Sequence, residues 1–465
     1  MTTFSIENFG CRATHADAAA IEHQLLDRGF TRAQAHRDSD IVVLNTCTVT
    51  AAADAQARDA IRHVHAANRS ARILVTGCYA QRAPEELARL DGVEWVVGNS
   101  HQSSIPDLAM LDAGVCSSDA QRSPDFVPAS MLATDALSLA RAPAKILTGD
   151  IFAQSSFFGA PLVGDDSERT RPTLKIQDGC NNRCSYCVIP FVRGKSRSLP
   201  PDRVLAEVRR LVTDGAREIV LSGINLGSYA NDLAPRASLA ALLRRVMAET
   251  SLDRLRLSSI EPMDVTRDFV ELVAAENRIA PHFHMPLQSA SDAILKLMHR
   301  SYRAAHYQRR LEIVRELSPD AAIGTDVIVG FPGESENDFH ATFDFIERQP
   351  FTYLHVFSFS ARPGTAAESL SGQVSPAVIR DRARTLRALG LKKASAFRAS
   401  QRGRLVRALT LRRKRDGWTE VLSGNYLKLR VAGDWPPNTW LDVRVTADSA
   451  DVTVPAEGLS TQSGF

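Results

Sequence analysis

Along the chain, short runs of β-branched and other apolar residues alternate with longer stretches in which apolar residues recur every three to four positions. Runs at 3–8, 40–45 and 71–76 read as strands, and the stretches 16–28 and 51–65 between them read as helices. Strand–helix alternation of this kind predicts a small parallel α/β sheet. Each of the three runs leads straight into a cysteine: Cys11, Cys47 and Cys78. Ligands of parallel sheets gather beyond the carboxyl ends of the strands, so these three residues are expected at one edge despite their separation in sequence.

Over 114–169 the pattern weakens into Ser, Asp, Ala and Pro, the composition of a linker. Alternation then resumes. Strands are expected at 173–177, 218–221, 254–258, 282–286, 323–329 and 353–359, with helices at 202–213, 239–249, 303–317 and 334–348. Six such units predict an open partial (β/α)6 barrel whose chemistry lies at the carboxyl ends of its strands. A basic helix over 375–401 follows, then short strands at 406–412, 418–423, 427–431 and 440–446, which predict a small β-barrel of the oligonucleotide-binding kind. The expected organisation is α/β: a small parallel domain at 1–112, a linker at 113–168, the barrel at 169–400, and a β module with a disordered tail at 401–465.

With 465 residues and 44% apolar content, the chain has room for two or three domains with full cores. Net charge is only +3, yet residues 402–444 carry ten Lys or Arg against four Asp or Glu. A locally basic end suits a polyanionic partner, or simply a solvated surface. No run of about 18 apolar residues exists, so no membrane span is expected. The N-terminus lacks the basic and apolar segments of a secretory leader, which points to the cytoplasm. Seven cysteines without a leader argue for metal or redox chemistry over disulfides.

The sharpest motif is Gly179-Cys180-Asn-Asn-Arg-Cys184-Ser-Tyr186-Cys187, directly after a strand. Three closely spaced thiolates can hold three irons of a 4Fe–4S cluster and leave the fourth open to a chelating substrate. Structural zinc prefers four ligands in paired short spacings, and no second pair lies nearby. At neighbouring strand ends stand Gly223, Asn225, Glu261, Gln288 and Asp326. A glycine there lets backbone approach a ligand, and Glu261 is placed to accept from an ammonium or a ribose hydroxyl. Singly, Glu261 also reads as a salt-bridged loop acid and Asn225 as a turn former. Together these residues put polar groups at one rim of one sheet.

The three-cysteine spacing with Tyr186 resembles the signature of the radical S-adenosylmethionine superfamily. The resemblance implies that Cys180, Cys184 and Cys187 ligate a 4Fe–4S cluster and that Tyr186, Gly223, Asn225, Glu261, Gln288 and Asp326 contact the cofactor. With the N-terminal trio, in Gly10-Cys-Arg, Asn45-Thr-Cys-Thr-Val-Thr and Thr76-Gly-Cys-Tyr-Ala-Gln-Arg, nearly the whole chain resembles the methylthiotransferase family. That implies a second 4Fe–4S cluster on Cys11, Cys47 and Cys78, whose open iron holds the sulfur to be inserted. Without the resemblance, three such cysteines read as buried small residues or free thiols. One departure is Thr14, where the family often has Asn. Cys116 belongs to neither trio and reads as a free thiol.

Three groups share this architecture, acting on tRNA isopentenyladenosine, tRNA threonylcarbamoyladenosine or a ribosomal-protein aspartate. The wording Leu174-Lys-Ile-Gln-Asp-Gly-Cys180, Ile219-Val-Leu-Ser-Gly-Ile-Asn225 and His355-Val-Phe-Ser-Phe-Ser-Ala-Arg362 best resembles the threonylcarbamoyladenosine group. This implies a tRNA anticodon arm, S-adenosylmethionine, an external electron donor and a sulfur source as partners. Gly424-Asn-Tyr426-Leu-Lys-Leu-Arg430 resembles the family's TRAM domain, with Arg412, Arg413, Lys414, Arg415, Lys428 and Arg430 as phosphate contacts. Tyr426 reads as a core aromatic or as a base-stacking residue. Arg193, Lys195 and Arg197 read either as an exposed loop or as contacts to RNA or cofactor. A different class of reading is a non-catalytic RNA-binding protein with a structural metal.

Overall fold

Six parallel strands form the N-terminal sheet in the computed structural model: β1 (Thr3–Asn8), β2 (Thr31–Arg32), β3 (Ile41–Thr46), β4 (Arg72–Gly77), β5 (Val93–Gly98) and β6 (Lys145–Leu147), in the order β2-β1-β3-β4-β5-β6. The structure describes residues 2–111, 144–159, 170–415, 417–446 and 450–452. The chain divides into one unit of Met1–Gln154 with Phe191–Gly194 and another of Ser155–Pro190 with Lys195–Phe465. Every residue of β3 is buried, which is why Ile41-Val-Val-Leu reads as an unbroken apolar run rather than an alternating one. Ala57, Ile61 and Val64 of the helix Ala51–Ala67 pack on Val42, Leu44, Ile73 and Val75. Thr50 caps that helix, accepting from the Ala53 N–H at 3.2 Å.

β1, β3 and β4 fall where the sequence pattern places them. β2, β5 and β6 widen the sheet beyond it. β6 lies in the stretch read as a linker, yet pairs with β5 in parallel, Val96 opposite Ile146. A three-residue edge strand with two exposed positions carries too little periodicity to stand out. Cys116 and the tail after residue 452 lie outside the described residues.

In the second unit the six expected parallel strands are β7 (Thr173–Asp178), β9 (Glu218–Gly223), β10 (Arg254–Leu257), β11 (His282–His284), β12 (Ala322–Val329) and β13 (Tyr353–Ser358). A short antiparallel strand, β8 (Arg197–Ser198), adds to β7. The ladders β10-β9-β7-β8 and β11-β12-β13 are joined by a parallel bridge between Ser259 and His284, so the strands follow one another around an open partial barrel. Helices including Pro201–Thr213, Leu239–Glu249, Ala304–Leu317 and Glu336–Arg348 contribute to a single apolar core with the strands. In β12 and β13, Gly324 pairs with Tyr353, Asp326 with His355 and Ile328 with Phe357. Side chains alternate along a strand, so these six share one face. Leu354 and Val356, on the other face of β13, pack into the core beneath the helices, which leaves the first face to the barrel interior.

The chain closes with β14 (Leu405–Arg415), β15 (Trp418–Ser423), β16 (Lys428–Ala432), β17 (Trp440–Val445) and β18 (Ala450–Val452), antiparallel in the order β16-β15-β14-β17-β18. This curled half-barrel sheet is the small β module expected at the end of the chain. It is fastened to the barrel through Glu218, the first residue of β9, which is fully buried. The Glu218 carboxylate meets Arg256 Nε at 2.7 Å, Arg171 Nη1 at 3.0 Å and Arg254 Nη1 at 3.6 Å. Arg256 in turn donates to the carbonyls of Ser423 and Gly424 at 3.0 and 2.9 Å, and Arg254 to that of Arg407 at 2.9 Å.

Burial alone would raise the Glu218 pKa, but the guanidiniums of Arg256, Arg171 and Arg254 outweigh it and hold the value at about 2, below the ordinary 4.5. The stability contributed by this carboxylate is therefore present above about pH 4.5 and is lost as the pH falls toward 2. Glu218→Gln leaves buried guanidiniums without their counter-charge and should cost about 3–5 kcal/mol. Urea unfolding at pH 7 checks this; a midpoint equal to that of the natural protein refutes it.

Candidate active site

β1, β3 and β4 deliver Cys11, Cys47 and Cys78 to one edge of the N-terminal sheet, Cys47 and Cys78 directly after their strands. Two glycines make the approach possible. Gly10 has φ +122°, and a Cβ there would lie 2.6 Å from Cys47 Cβ and 3.1 Å from its sulfur. Gly77 has φ +98°, and a Cβ there would strike the backbone carbonyl of Thr46. Cys11 is exposed, and the other two are buried. Burial pushes the Cys78 thiol up to about 12; the neighbouring Cys47 and Cys11 push the same way, and Arg193 opposes them.

Arg193 is itself buried and pairs with buried Asp17 at 2.7 Å. Asn99 Nδ2 reaches Cys78 Sγ at 3.5 Å and donates to the Val192 carbonyl at 2.7 Å. Thr14, the departure from the family pattern, donates from its hydroxyl to the Cys11 carbonyl at 2.7 Å, so it holds the cysteine loop itself. Three thiols gathered from three strands, two of them, Cys47 and Cys78, pushed up by burial, are a donor set suited to the irons of a cluster, since metal binding displaces thiol protons.

The second trio follows β7. The Cys187 N–H donates to the Cys184 carbonyl at 3.1 Å, which folds the loop back on itself. Cys180 Sγ accepts from the Asn182 N–H at 3.4 Å, with Asn225 Nδ2 at 4.0 Å. Burial pushes Cys187 up to about 12, with Cys184 and Cys180 adding to the effect. The donor set again suits a cluster. Arg300 bridges this loop to the rim: its Nη1 lies 3.3 Å from Cys184 Sγ and its Nη2 pairs with Glu261. Glu261 is thus a salt-bridged acid, and it also faces Cys180, whose pKa burial raises and Glu261 helps to raise.

Neither Arg300 nor Gln177 carries a sequence signal, because each acts only through partners distant in sequence. Gln177 accepts from the Asn225 N–H at 2.7 Å and donates to the Gly179 carbonyl and Ser196 hydroxyl at 2.7 and 2.9 Å. Gly223 is where that side chain passes, since a Cβ there would lie 2.9 Å from Gln177 Oε1. Tyr186 packs edge-on against Phe331. Gln288, at φ +65°, shares backbone hydrogen bonds with Asp326 and Ile328. Asp326 faces the barrel interior, where its Oδ1 accepts from His284 Nε2 at 2.9 Å and from His355 Nδ1 at 3.1 Å. Burial opposes ionisation, but these two hydrogen bonds prevail and hold its pKa well below the carboxylate range.

On the half-barrel, Arg412 and Arg413 are exposed, and Lys428 and Arg430 alternate with buried Leu429 and Val431 to face outward. Lys414 and Arg415 belong to β14, but their side chains lie outside the description. Tyr426 stacks on His282 at 4.3 Å and 19°, so it is an interior aromatic. Of the loop cations, Lys195 is exposed; Arg193 and Arg197 are buried beside Asp17 and Asp178, which removes them as RNA contacts.

Residues 174–346 match the family described as Radical SAM superfamily, and residues 3–98 match one described as Uncharacterized protein family UPF0004. The chain is 35% identical over 431 residues to the threonylcarbamoyladenosine tRNA methylthiotransferase MtaB of Aquifex aeolicus, spanning 92% of this chain and 96% of that one. The chain belongs to the radical S-adenosylmethionine methylthiotransferase family. A second member of that family, MtaB of Bacillus subtilis, is 35% identical over 86% of this chain and 83% of its own. A third, the tRNA-2-methylthio-N(6)-dimethylallyladenosine synthase of an Arthrobacter species, is 35% identical over 88% and 73%. Among solved structures, the radical S-adenosylmethionine methyltransferase TsrM from Kitasatospora setae aligns at TM-score 0.53 and 17% identity over 77% of this chain and 73% of its own, a likeness of fold.

Gly77→Ala should destabilise the N-terminal unit of this methylthiotransferase by about 1–3 kcal/mol, through a left-handed backbone and a clash with Thr46. Gly29→Ala is the control, because φ is +83° there but nothing lies within 4 Å. Equal shifts of the two urea midpoints would refute the steric account.

Proposed function

We propose that this chain methylthiolates carbon 2 of N6-threonylcarbamoyladenosine next to the anticodon of tRNA. The observation that carries the reading is the pair of cysteine trios, one delivered by β1, β3 and β4 and the other on the loop after β7, in a chain that aligns along 92% of its length with a relative named for that reaction. In this reading Cys180, Cys184 and Cys187 hold the 4Fe–4S cluster that binds S-adenosylmethionine, and Cys11, Cys47 and Cys78 hold a second. When bound, these groups supply the one-electron chemistry, sulfur and methyl group that an unactivated aromatic carbon requires.

The chain's own residues do the positioning. Asn182 and Asn225 donate toward the Cys180 sulfur. Arg300 holds Glu261 against the cysteine loop, and Gln177 ties Gly179 to the Asn225 turn. Gly223, Tyr186 and Gln288 shape the rim in which cofactor is held. Arg412, Arg413, Lys428 and Arg430, with Lys414 and Arg415, contact phosphates and seat the anticodon arm without reading its sequence. We assign cluster binding to residues 1–112, the radical core to 169–400 and RNA binding to 401–465. An external electron donor and sulfur source complete the reaction, which we place in the cytoplasm. Among the described residues no helix is long and apolar enough to cross a membrane.

A second reading, methylthiolation of dimethylallyladenosine in tRNA, is favoured by the 35% identity to the Arthrobacter enzyme. Mass spectrometry of tRNA nucleosides from cells lacking the gene separates the two. Loss of methylthio-threonylcarbamoyladenosine is the expected result. An unchanged peak, with no second enzyme present, overturns the substrate, and loss of the dimethylallyl product selects the alternative. Anaerobically reconstituted protein should hold about eight irons, falling to about four in Cys78→Ala and in Cys180→Ala; stoichiometric zinc without iron would overturn the enzyme reading.

A further inference from the structure

A column of rings and one carboxylate runs along the inner face of the barrel. His282 Nε2 lies 2.7 Å from the Tyr353 hydroxyl, which lies 2.9 Å from His284 Nδ1. His284 Nε2 and His355 Nδ1 both meet Asp326 Oδ1. A carboxylate oxygen only accepts, so both of those ring nitrogens carry hydrogen. That commits Nδ1 of His355 to the wall and leaves Nε2 for a ligand. The His355 side chain is 55% exposed, although its ring is fixed from behind by a largely buried acid.

Two residues on, Phe357 shares this inner face and is 46% exposed, beside half-buried Ile328. The interior of a closed barrel is filled by packed side chains, so a large bare ring on the inner wall needs an occupant. β13 is the last strand of the open barrel, which places that ring and His355 at its open side. A flat apolar surface next to one anchored hydrogen-bonding nitrogen is what an extruded nucleobase needs: a face to stack on and a partner for its polar edge.

We propose that Phe357 and His355 form the seat of the target adenine, Phe357 stacking on the ring and His355 Nε2 bonding its polar edge. The proposal deepens the tRNA-modification reading and rests on it. Asp326 and His284 are positioning residues for His355, and Tyr426 backs the column from the half-barrel by its stack on His282.

The test uses the reconstituted holoenzyme and an anticodon stem–loop RNA carrying 2-aminopurine at the target position, whose fluorescence rises when the base leaves the stack. The natural protein should produce that rise. Phe357→Ala and His355→Ala, both at exposed positions, should fold with normal iron content. Each should lose most of the rise and lower kcat/KM for methylthiolation of the unlabelled RNA by roughly tenfold or more. His355→Gln, which keeps a hydrogen-bonding group, should recover part of both, and Leu391→Ala on the outer helix should behave as the natural protein does. Retention of the fluorescence rise and of the rate in both alanine variants overturns the seat while leaving the parent reading intact. One equivalent of zinc or manganese in the natural protein, absent from His355→Ala, also overturns it. The ligand atoms of His284, Asp326 and His355 lie within 4.8 Å of one another, and such an ion would occupy the imidazole. Failure of the natural protein to bind or modify the stem–loop overturns the parent reading and the seat with it.

Discussion

A strand has a direction, and in a sheet whose strands all run one way every chain exit falls along the same edge. That constraint places almost all the chemistry of this chain. It brings Cys11, Cys47 and Cys78 together across more than sixty positions of sequence without a disulfide or a shared loop. It also aligns the Cys180 loop with Gly223 and Asn225 at one rim. Glycines with positive φ at positions 10 and 77 complete the arrangement, because the exits must turn within one residue of a sulfur.

The ends of such strands are crowded with polar groups, and the two units handle the crowding in the same way. Buried cations are matched to acids close to thiols: Arg193 with buried Asp17 in one unit, Arg300 with partly exposed Glu261 in the other. An arginine fork fixed by a carboxylate offers a rigid positive edge. A thiol trio that becomes anionic on loading gains most from such an edge.

Periodicity made β1, β3, β4 and the barrel strands legible, since each lies in a stretch long enough to repeat. It could not show β6, with three residues, or β8, with two. Cys180, Cys184 and Cys187 stand out in the sequence by their spacing, and Cys11, Cys47 and Cys78 by following three strands. Asp326 reads as a strand-end residue in the sequence but lies inside β12, and its partners are not readable: His284 and His355 come from neighbouring strands, and only register brings them to one oxygen. Arg193 and Arg197 read as an exposed loop or as contacts to RNA or cofactor, because charge in a loop sequence carries no sign of burial. Thr14 shows the reverse case, where a departure from a familiar pattern turns out to be a hydroxyl serving the same loop.

The turn Ser423-Gly424-Asn425-Tyr426 enters the barrel from the half-barrel, with the carbonyls of Ser423 and Gly424 taken by Arg256 and the Tyr426 ring lying on His282. The terminal module is therefore not a detachable handle. A chimera that exchanged it for a relative's module would have to present its backbone carbonyls to Arg254 and Arg256 in the same places and a ring to cover His282. Grafting nucleic-acid preference between members of such a lineage thus demands moving the floor of the barrel together with the appendage.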